Sequence, residues 1–457
     1  MSRRLLLLLM LLPGLARAED ALLRDYIDEA LHANPALDAQ QQGVHIAQSN
    51  LEQTQAKQWP ELSLNARYTR AEGGRTIDIP IGSLLNPVYD TLNRQLVASG
   101  QPPQFPTVQD QSIALLRSRE QETKLSLSAP LFAPQLWAQV DAQRALLDAS
   151  RESREAYARV LVRETKRAYY GAVQAQAAVG IVEASLDLLS ENVRVSQSLL
   201  DNGKATRDRV LRAEAERLSA VQQLDAARAQ AAQARRLINV LRAKPDDAPL
   251  SLPAPESLGL PPPAVGTPQL RPEIRQLDAS LKAASAGERV ARNGYLPTLG
   301  LAADYGIQGE RYDFGPDADF GTVSLVLRWS LFEAGARSAQ RRGALAQSRQ
   351  LQDQREDLER RLRLARRSAA DDLGTALRAI TTSQARLDAA EEAFRIAEKK
   401  RAEAYLSQIE FLDAERALRE ARLGLAVARC TALDRAAELE LAEARYPLPE
   451  ALLGPPP

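Results

Sequence analysis

Apolar residues repeat every seven positions in the first of two stretches, about 133–243 and 333–445, and cover a face roughly 150° wide at 3.5 residues per turn. Both stretches are dominated by Ala, Leu, Arg, Glu and Gln, which favour helix, and are nearly free of Gly and Pro. A face of that width predicts a helix packed against neighbours on both sides, although a two-stranded coiled coil is the alternative for this stretch alone. The repeating positions are Ile181, Leu188 and Val195, then Leu186, Val193 and Leu200, with Val182 and Leu189 between them.

Each helical stretch is interrupted once, near its middle. In the first, Leu200 to Thr206 combines turn-forming Asp, Asn and Gly with a hydroxyl residue that can cap the next helix. The equivalent in the second runs from Arg401 to Ser407, with Ser407 as the cap. The sequence therefore predicts two helical hairpins.

The two arms of each hairpin are unequal. Residues 133–200 predict a helix of roughly 100 Å, whereas 206–243 supply only about 57 Å. Residues 35–58 supply the missing length if that helix stacks end to end on the returning one. The second half has the same parts, at about 272–294, 333–403 and 407–444.

Four segments of about ten residues alternate between polar and apolar positions, as strands with two different faces do: 61–70, 123–132, 298–305 and 321–330. This is the length of a tilted strand that crosses an outer membrane. Aromatic residues lie at or near the strand ends, as in an interfacial girdle: Trp59, Tyr68, Trp137, Tyr295, Tyr305 and Trp329. A small soluble sandwich is the alternative. Four strands cannot protect their own edges, so barrel closure needs several chains, and three would give twelve strands.

The order of these elements occurs twice along the chain, as an internal repeat. Asn34-Pro35 and Trp59-Pro60 return as Arg271-Pro272 and Leu296-Pro297, and the segment 210–214 returns as 411–415. A duplication of this length predicts two copies of one helix–strand–strand–hairpin unit.

Residues 1–18 have the pattern of a signal peptide. Arg3 and Arg4 precede an apolar run from Leu5 to Leu12, and a small-x-small cleavage pattern ends at Ala18. The run is too short to cross a bilayer as a helix, so export is predicted, with a buried N-terminal helix as the alternative.

Composition argues against several functions. Basic and acidic residues number 59 each and are interspersed, which gives no electrostatic footprint for nucleic acid. Cys430 is the single cysteine, and His32 and His45 have no partners at metal-ligand spacing. The chain lacks nucleophile-elbow and nucleotide-binding motifs, so neither an enzyme nor a cofactor or metal site is predicted.

The doubled unit, the Asn-Pro opening, the Pro-x-Leu strand entries at Pro60 and Pro297 and the Leu-x-Ala-Glu after each turn resemble the TolC family of outer-membrane efflux ducts, over about 20–445. The resemblance implies a mainly α fold with a small β part. Long helical hairpins would form a periplasmic barrel, and four strands per chain would contribute to a trimeric twelve-stranded outer-membrane barrel. The loop from Gly73 to Glu122 resembles the extended extracellular loop of some members.

The resemblance implies a homotrimer in outer-membrane lipid with a long periplasmic extension. It further implies that the protein would be the passive exit duct of a tripartite efflux or type I secretion system, in which a periplasmic adaptor and an inner-membrane transporter supply substrate and energy. A periplasmic adaptor-like protein and a structural coiled coil without a pore are alternatives. The expected organisation is a signal peptide (1–18), a first repeat (19–250), a Pro-rich linker (251–270), a second repeat (271–446) and a disordered tail (447–457).

The resemblance also implies site residues. The family docks its adaptor at the hairpin tips, through a Val-Gly-hydrophobic sequence followed by a hydroxyl residue. The second tip here lacks the glycine and both lack the valine, which indicates a different adaptor. The matching positions are Asn202, Gly203, Lys204 and Thr206, and Ala404, Tyr405 and Ser407.

Charged residues follow each tip. Family members carry aspartates just inside the entrance, and the matching residues are Glu410 and Asp413 in the second half but Arg209 and Arg212 in the first. The hypothesis is that arginine–carboxylate pairs between neighbouring hairpins help to hold the entrance shut. Solvated surface charge is the alternative.

Overall fold

The computed structural model describes residues 21–260, 269–403 and 405–453, so the predicted signal peptide lies outside the described residues. The chain forms two compact units. One contains the described parts of Met1–Leu51, Asp141–Ala286 and Gly343–Pro457, and the other contains Glu52–Val140 and Gly287–Arg342.

Helices dominate the described chain. The helices are α1 (Ala21–Ala33), α2 (Pro35–Ala56), α3 (Ile81–Ala98), α4 (Pro134–Asp201), α5 (Arg207–Leu241), α6 (Pro272–Asn293), α7 (Ala336–Ala402) and α8 (Gln408–Ala442). The six predicted helices are confirmed as α2 and α4 to α8, within a few residues of their predicted ends. Helices α1 and α3 were not predicted from the sequence.

The predicted end-to-end stacking has a clear basis at the two repeated X-Pro positions. Asn34 caps α2 by accepting from the N–H of Ala36 (3.0 Å), and its amide donates to the carbonyl of Leu241 at the end of α5 (3.0 Å). Arg271, just before α6, donates to the carbonyl of Leu441 near the end of α8 (3.0 Å). We call these two contacts the helix splices. A proline at the first helical position suits both starts, because its missing N–H would have no intrahelical partner there.

The largest apolar cluster of the first unit packs α1 against α4. Ile27 and Tyr169 are fully buried in it, and the rings of Tyr26 and Tyr169 meet edge to face at 5.9 Å. Leu250 and, in the Pro-rich linker, Leu252 and Leu258 pack on the same cluster.

The expectation of a disordered tail is wrong for residues 447–453. Leu448 is buried in the α1–α4 cluster, Glu450–Leu452 forms a short 3₁₀ turn, and Arg154 donates to the carbonyl of Leu453 (3.4 Å). The burial of Leu448 stabilises this part of the tail, and the proline-rich composition gave no indication of that contact.

The two hairpins, α4–α5 and α7–α8, have their own apolar contacts. Leu189 is fully buried with Phe394 and Phe411, and Val182 packs with Leu224. The flanking heptad positions, such as Leu188, are half-buried, as the wide apolar face predicted. One window of α4 (mean hydropathy 1.2, 33% buried) is apolar enough to cross a membrane, but a single such helix is weak evidence, because core helices of soluble proteins share that composition.

The second unit contains two antiparallel sheets. The strands are β1 (Glu61–Arg70), β2 (Thr76–Ile79), β3 (Gln111–Ala114), β4 (Arg119–Phe132), β5 (Thr298–Gly309) and β6 (Asp319–Arg328). The larger sheet has the order β1-β4-β5-β6, and a two-stranded sheet pairs β2 with β3. The four predicted strands are confirmed. Strands β2 and β3 and helix α3 lie in the long loop between β1 and β4, where no strand or helix was predicted.

Candidate functional site: a two-faced sheet and two hairpin tips

The register of the four-stranded sheet places apolar residues on one face. Leu64 pairs with Leu125, which pairs with Tyr305, and the cross-strand pairs two residues closer to the helices, such as Leu62 with Leu127, continue the pattern. The residues of this face, many of them exposed, are Leu62, Leu64, Tyr68, Leu125, Leu127, Tyr305, Leu301, Leu299, Val323, Leu325 and Leu327. An apolar face without protein cover is what a strand facing lipid presents.

The opposite face is polar and joined across strands. Asn65 donates to the hydroxyl of Ser126 (3.0 Å), and Arg67 pairs with Glu122 (2.8 Å). Lys124 lies between Glu122 (3.2 Å) and Asp304 (3.7 Å), and so connects β4 to β5. The sheet thus has one face of charged and polar side chains and one face of apolar side chains, as strands that separate water from lipid do.

Aromatic side chains are exposed at and near the helical end of the sheet. The Trp329 indole donates to the carbonyl of Tyr295 (3.1 Å), and Phe132 meets Trp137 edge to face at 5.5 Å. The six aromatic residues singled out from the sequence are all exposed. The alternative of a soluble sandwich with these rings in its core is therefore wrong for the described chain.

The sheet is open at both edges. Among the strands of the described chain, β1 pairs with β4 alone and β6 with β5 alone. Strand directions alternate along the sheet, so β6 of one copy could continue antiparallel with β1 of another. Exposed edges of this kind need a partner.

At the first hairpin tip, Gly203 lies in the left-handed region with φ 65°, as its position in an Asn-Gly pair predicted. Its N–H donates to the carbonyl of Leu200 (2.9 Å), and the N–H of Lys204 donates to that of Leu199 (2.8 Å). This is the Schellman ending of a helix. Asn202 also donates to the carbonyl of Ser198 (2.7 Å).

Thr206 occupies the N-cap position of α5. Its hydroxyl bonds to Asp208, and this hydrogen bond lowers the pKa of that carboxyl. Thr206 thus lies at the predicted cap position, but its hydroxyl makes no hydrogen bond to the backbone of the first turn of α5.

The second tip is capped as predicted. The Ser407 hydroxyl accepts from the N–H of Glu410 (3.3 Å), and the Glu410 carboxylate accepts from the N–H of Ser407 (2.9 Å). This is a complete capping box, and the Ser407 hydrogen bonds lower the pKa of Glu410. Tyr405 is strongly exposed, whereas Ala404 lies outside the described residues.

Within the chain, two of the proposed gating charges, Arg212 and Asp413, have local ion-pair partners. Arg212 lies 4.0 Å from Asp208, and Asp413 lies 3.4 Å from Arg416. The carbonyl of Arg209 accepts from the amide of Gln408 (2.9 Å). The hypothesis of pairs between neighbouring hairpins concerns contacts beyond one chain and stays a prediction.

Sequence reasoning missed a buried polar link between the hairpins. Ser185 of α4 donates to Glu415 of α8, and Arg419 donates to the hydroxyl of Ser185 (2.9 Å). All three side chains are buried. The sequence signal for this link was two oppositely charged residues, Glu415 and Arg419, four positions apart on the apolar side of a helix.

A second buried charge cluster, the α4–α6 cluster, also escaped the sequence analysis. Arg275 of α6 contacts Glu152 (2.8 Å) and Glu155 (2.5 Å) of α4, and Arg159 takes the other oxygen of Glu155 (2.8 Å). Burial raises the pKa of Glu152 to about 7, because it opposes the charged form more than Arg275 favours it, and Glu155 and Asp148 add repulsion.

Comparison with known proteins agrees with this arrangement. The model of the family described as outer membrane efflux protein matches residues 26–241 and 267–444. Two solved structures share the fold at 20% identity. The outer membrane protein VceC of Vibrio cholerae has a TM-score of 0.75, and the match covers 92% of this chain and 96% of that one. The open-state MtrE channel of Neisseria gonorrhoeae has a TM-score of 0.73, with 92% and 88% covered.

Among curated proteins, protein CyaE of Bordetella pertussis is 42% identical over 77 residues. The match spans 17% of this chain and only 16% of that relative.

Proposed function

Because the chain belongs to the outer membrane efflux protein family, we propose that it forms the exit duct of a tripartite efflux or type I secretion assembly. Family membership makes it an outer-membrane channel with a long periplasmic helical extension, and not an enzyme. The two-faced, open-edged sheet is the observation that carries this proposal.

Three copies would complete the duct. The polar faces with Arg67 and Lys124 would line the pore, and the apolar faces would meet lipid. Twelve strands with alternating directions close without a free edge, which a single chain cannot achieve. The closed barrel would satisfy every edge N–H and carbonyl inside the membrane.

The helical hairpins would carry the duct across the periplasm. Helix α4 has 68 residues, about 100 Å at the helical rise. The chain has no nucleotide-binding motif, so energy would come from an inner-membrane transporter. Channels of this family are trimeric and work with adaptor and pump proteins in general.

The adaptor would dock at the two tips. Gly203 and Lys204 are exposed at the first, and Tyr405 at the second. An exposed aromatic ring beside a rigidly capped helix start supplies the kind of anchor that protein interfaces favour. Asn202, Thr206, Ala404 and Ser407 complete the proposed surface.

Two measurements test the proposal. Purified protein in detergent should have the mass of a trimer, and it should conduct in planar bilayers. An inserted, fully helical monomer would contradict the trimeric duct. A silent bilayer would favour an adaptor-like protein or a coiled coil without a pore.

A matched pair of variants connects conductance to this sheet. Lys124→Glu should shift ion selectivity towards cations, because Lys124 would line the pore. Leu125→Ala, one residue further on the opposite face, should leave selectivity unchanged. Equal effects of the two variants would show that the faces are assigned wrongly.

A further inference from the structure

Helix α3, in the long loop between β1 and β4, is held on one face by the segment 101–110. The side chain of Asn86 bonds to both backbone groups of Val108 (2.8 and 2.9 Å), and Asn93 bonds to those of Phe105 (2.8 and 3.1 Å). Gly82 allows close approach, since a Cβ there would lie 2.2 Å from the carbonyl of Val108. These bonds fix the orientation of α3, because Asn86 and Asn93 are seven residues apart on one face.

The neighbouring face of α3 is apolar and uncovered. Leu84 is 69% exposed and Val88 53%, and Leu85 and Leu92 are also exposed. At 100° per residue these four side chains fall within about 100° of arc, next to the face that holds 101–110. We call them the α3 stripe. An ordered helix with such a stripe indicates a contact surface.

The loop that carries α3 leaves the sheet from an edge strand. It begins after Arg70, the last residue of β1, and the turn 310–318 between β5 and β6 lies at the same end of the sheet. If β1 pairs with β6 of a neighbouring copy, that copy's turn 310–318 stands beside the loop. The turn exposes Tyr312 and Phe314, and Phe314 is 83% exposed.

The charge of the loop argues against lipid as the occupant. A surface for anionic lipid headgroups needs clustered basic residues. Acidic and basic residues are few and mixed in the loop 71–118: Glu72, Arg75, Asp78, Asp90, Arg94, Asp110 and Arg117. An apolar stripe without a basic rim suits the exposed rings of a protein partner better.

We propose that the α3 stripe binds Tyr312 and Phe314 of the neighbouring copy, so that each loop clasps the next subunit at the outer rim of the barrel. The inference rests on the proposed trimeric barrel, because only closure through β1 and β6 brings these segments together. Aromatic rings in an aliphatic stripe would remove both apolar surfaces from water.

Single-cysteine chains test the clasp. In a Cys430→Ala background, one tagged chain carries Val88→Cys and a second, with a different tag, carries Phe314→Cys. After co-expression and oxidation, a disulfide should join the two tags. In a matched pair, Asp90→Cys replaces Val88→Cys, and because Asp90 lies on another face of α3 the yield should fall several-fold.

The outcomes separate this inference from the proposed function. Native mass spectrometry of the same samples reports the oligomer. A trimer without the 88–314 disulfide, or with equal yields from positions 88 and 90, overturns the clasp alone. A monomer overturns both the clasp and the trimeric duct.

A second measurement distinguishes lipid from protein as the occupant. A fluorescent label is attached to the thiol of the Val88→Cys variant in the same Cys430→Ala background. Brominated lipids in liposomes should not quench this label, and Phe314→Ser in all copies should shift its emission to the red. Quenching by brominated lipid would make the outer leaflet the occupant and overturn the proposal.

Discussion

Glu152 predicts an unusual dependence of stability on pH. The residue is 3% exposed, and the pKa of its carboxyl is raised from 4.5 to about 7. A group whose pKa is higher in the folded than in the unfolded state binds its proton more tightly when folded. The stability that Glu152 contributes is therefore fully present below the unfolded pKa and is lost as pH rises from about 4.5 to 7.

The size of the effect follows from that difference. At about 1.4 kcal/mol for each pH unit, ionising folded Glu152 costs about 3 kcal/mol per chain at pH 8. Glu152→Gln keeps the shape of the protonated acid and removes the charge. We expect this variant to be more stable than the parent at pH 8, by up to about 3 kcal/mol, and nearly equal to it at pH 4.5.

Denaturant unfolding followed by circular dichroism, at several pH values in one detergent, measures the difference. Glu191→Gln is the control, because Glu191 lies on the same helix, is exposed and has its pKa lowered by its hydrogen bond to Arg194. The control should show no gain at pH 8. If Glu152→Gln changes stability by the same amount at pH 5 and pH 8, the carboxyl is not protonated at low pH and the reasoning fails.

Three further predictions concern the helix ends. Gly203→Val should reduce export with the trimer intact, because valine opposes a positive φ, while Gly203→Asn should be tolerated; normal export by the valine variant would contradict this role of the tip. Ala243→Gly should raise the free energy of unfolding by about 1 kcal/mol, since Ala243 is exposed with φ 52°, and an unchanged urea midpoint would refute it. Reversing Glu410 and Asp413 to arginine should raise single-channel conductance, and also reversing the two arginines after the first tip should restore it. Glu410→Gln is the control for the helix cap, because glutamine keeps the capping box while the charge of residue 410 is removed.

The sequence was sufficient for the long helices and the four main strands because their signals are local and repeated. The heptads around Leu189 and the alternation around Leu64 specify period and face without tertiary contacts. Helix α3 was not predicted because the pair Asn86-Pro87 is typical of turns. Only the bonds of Asn86 and Asn93 to a segment farther along the chain make that stretch an ordered helix.

The site was predictable in part for the same reason. Ser407 and Glu410 form a capping box within four residues, so the second cap could be read from the sequence. Ser185 and Glu415 are far apart along the chain, and no local pattern indicates that they meet. The high pKa of Glu152 likewise depends on burial that only the packed helices create.

The helix splices have a mechanical consequence. In each half of the chain one long helix, α4 or α7, continues without a break, whereas its companion is two rods that meet end to end. At each joint no backbone passes from rod to rod, and a side-chain hydrogen bond from Asn34 or Arg271 ties them together. Torsion applied at a hairpin tip would therefore pass through the backbone of the continuous helix, whereas in the jointed one it would have to pass through the contact at the splice.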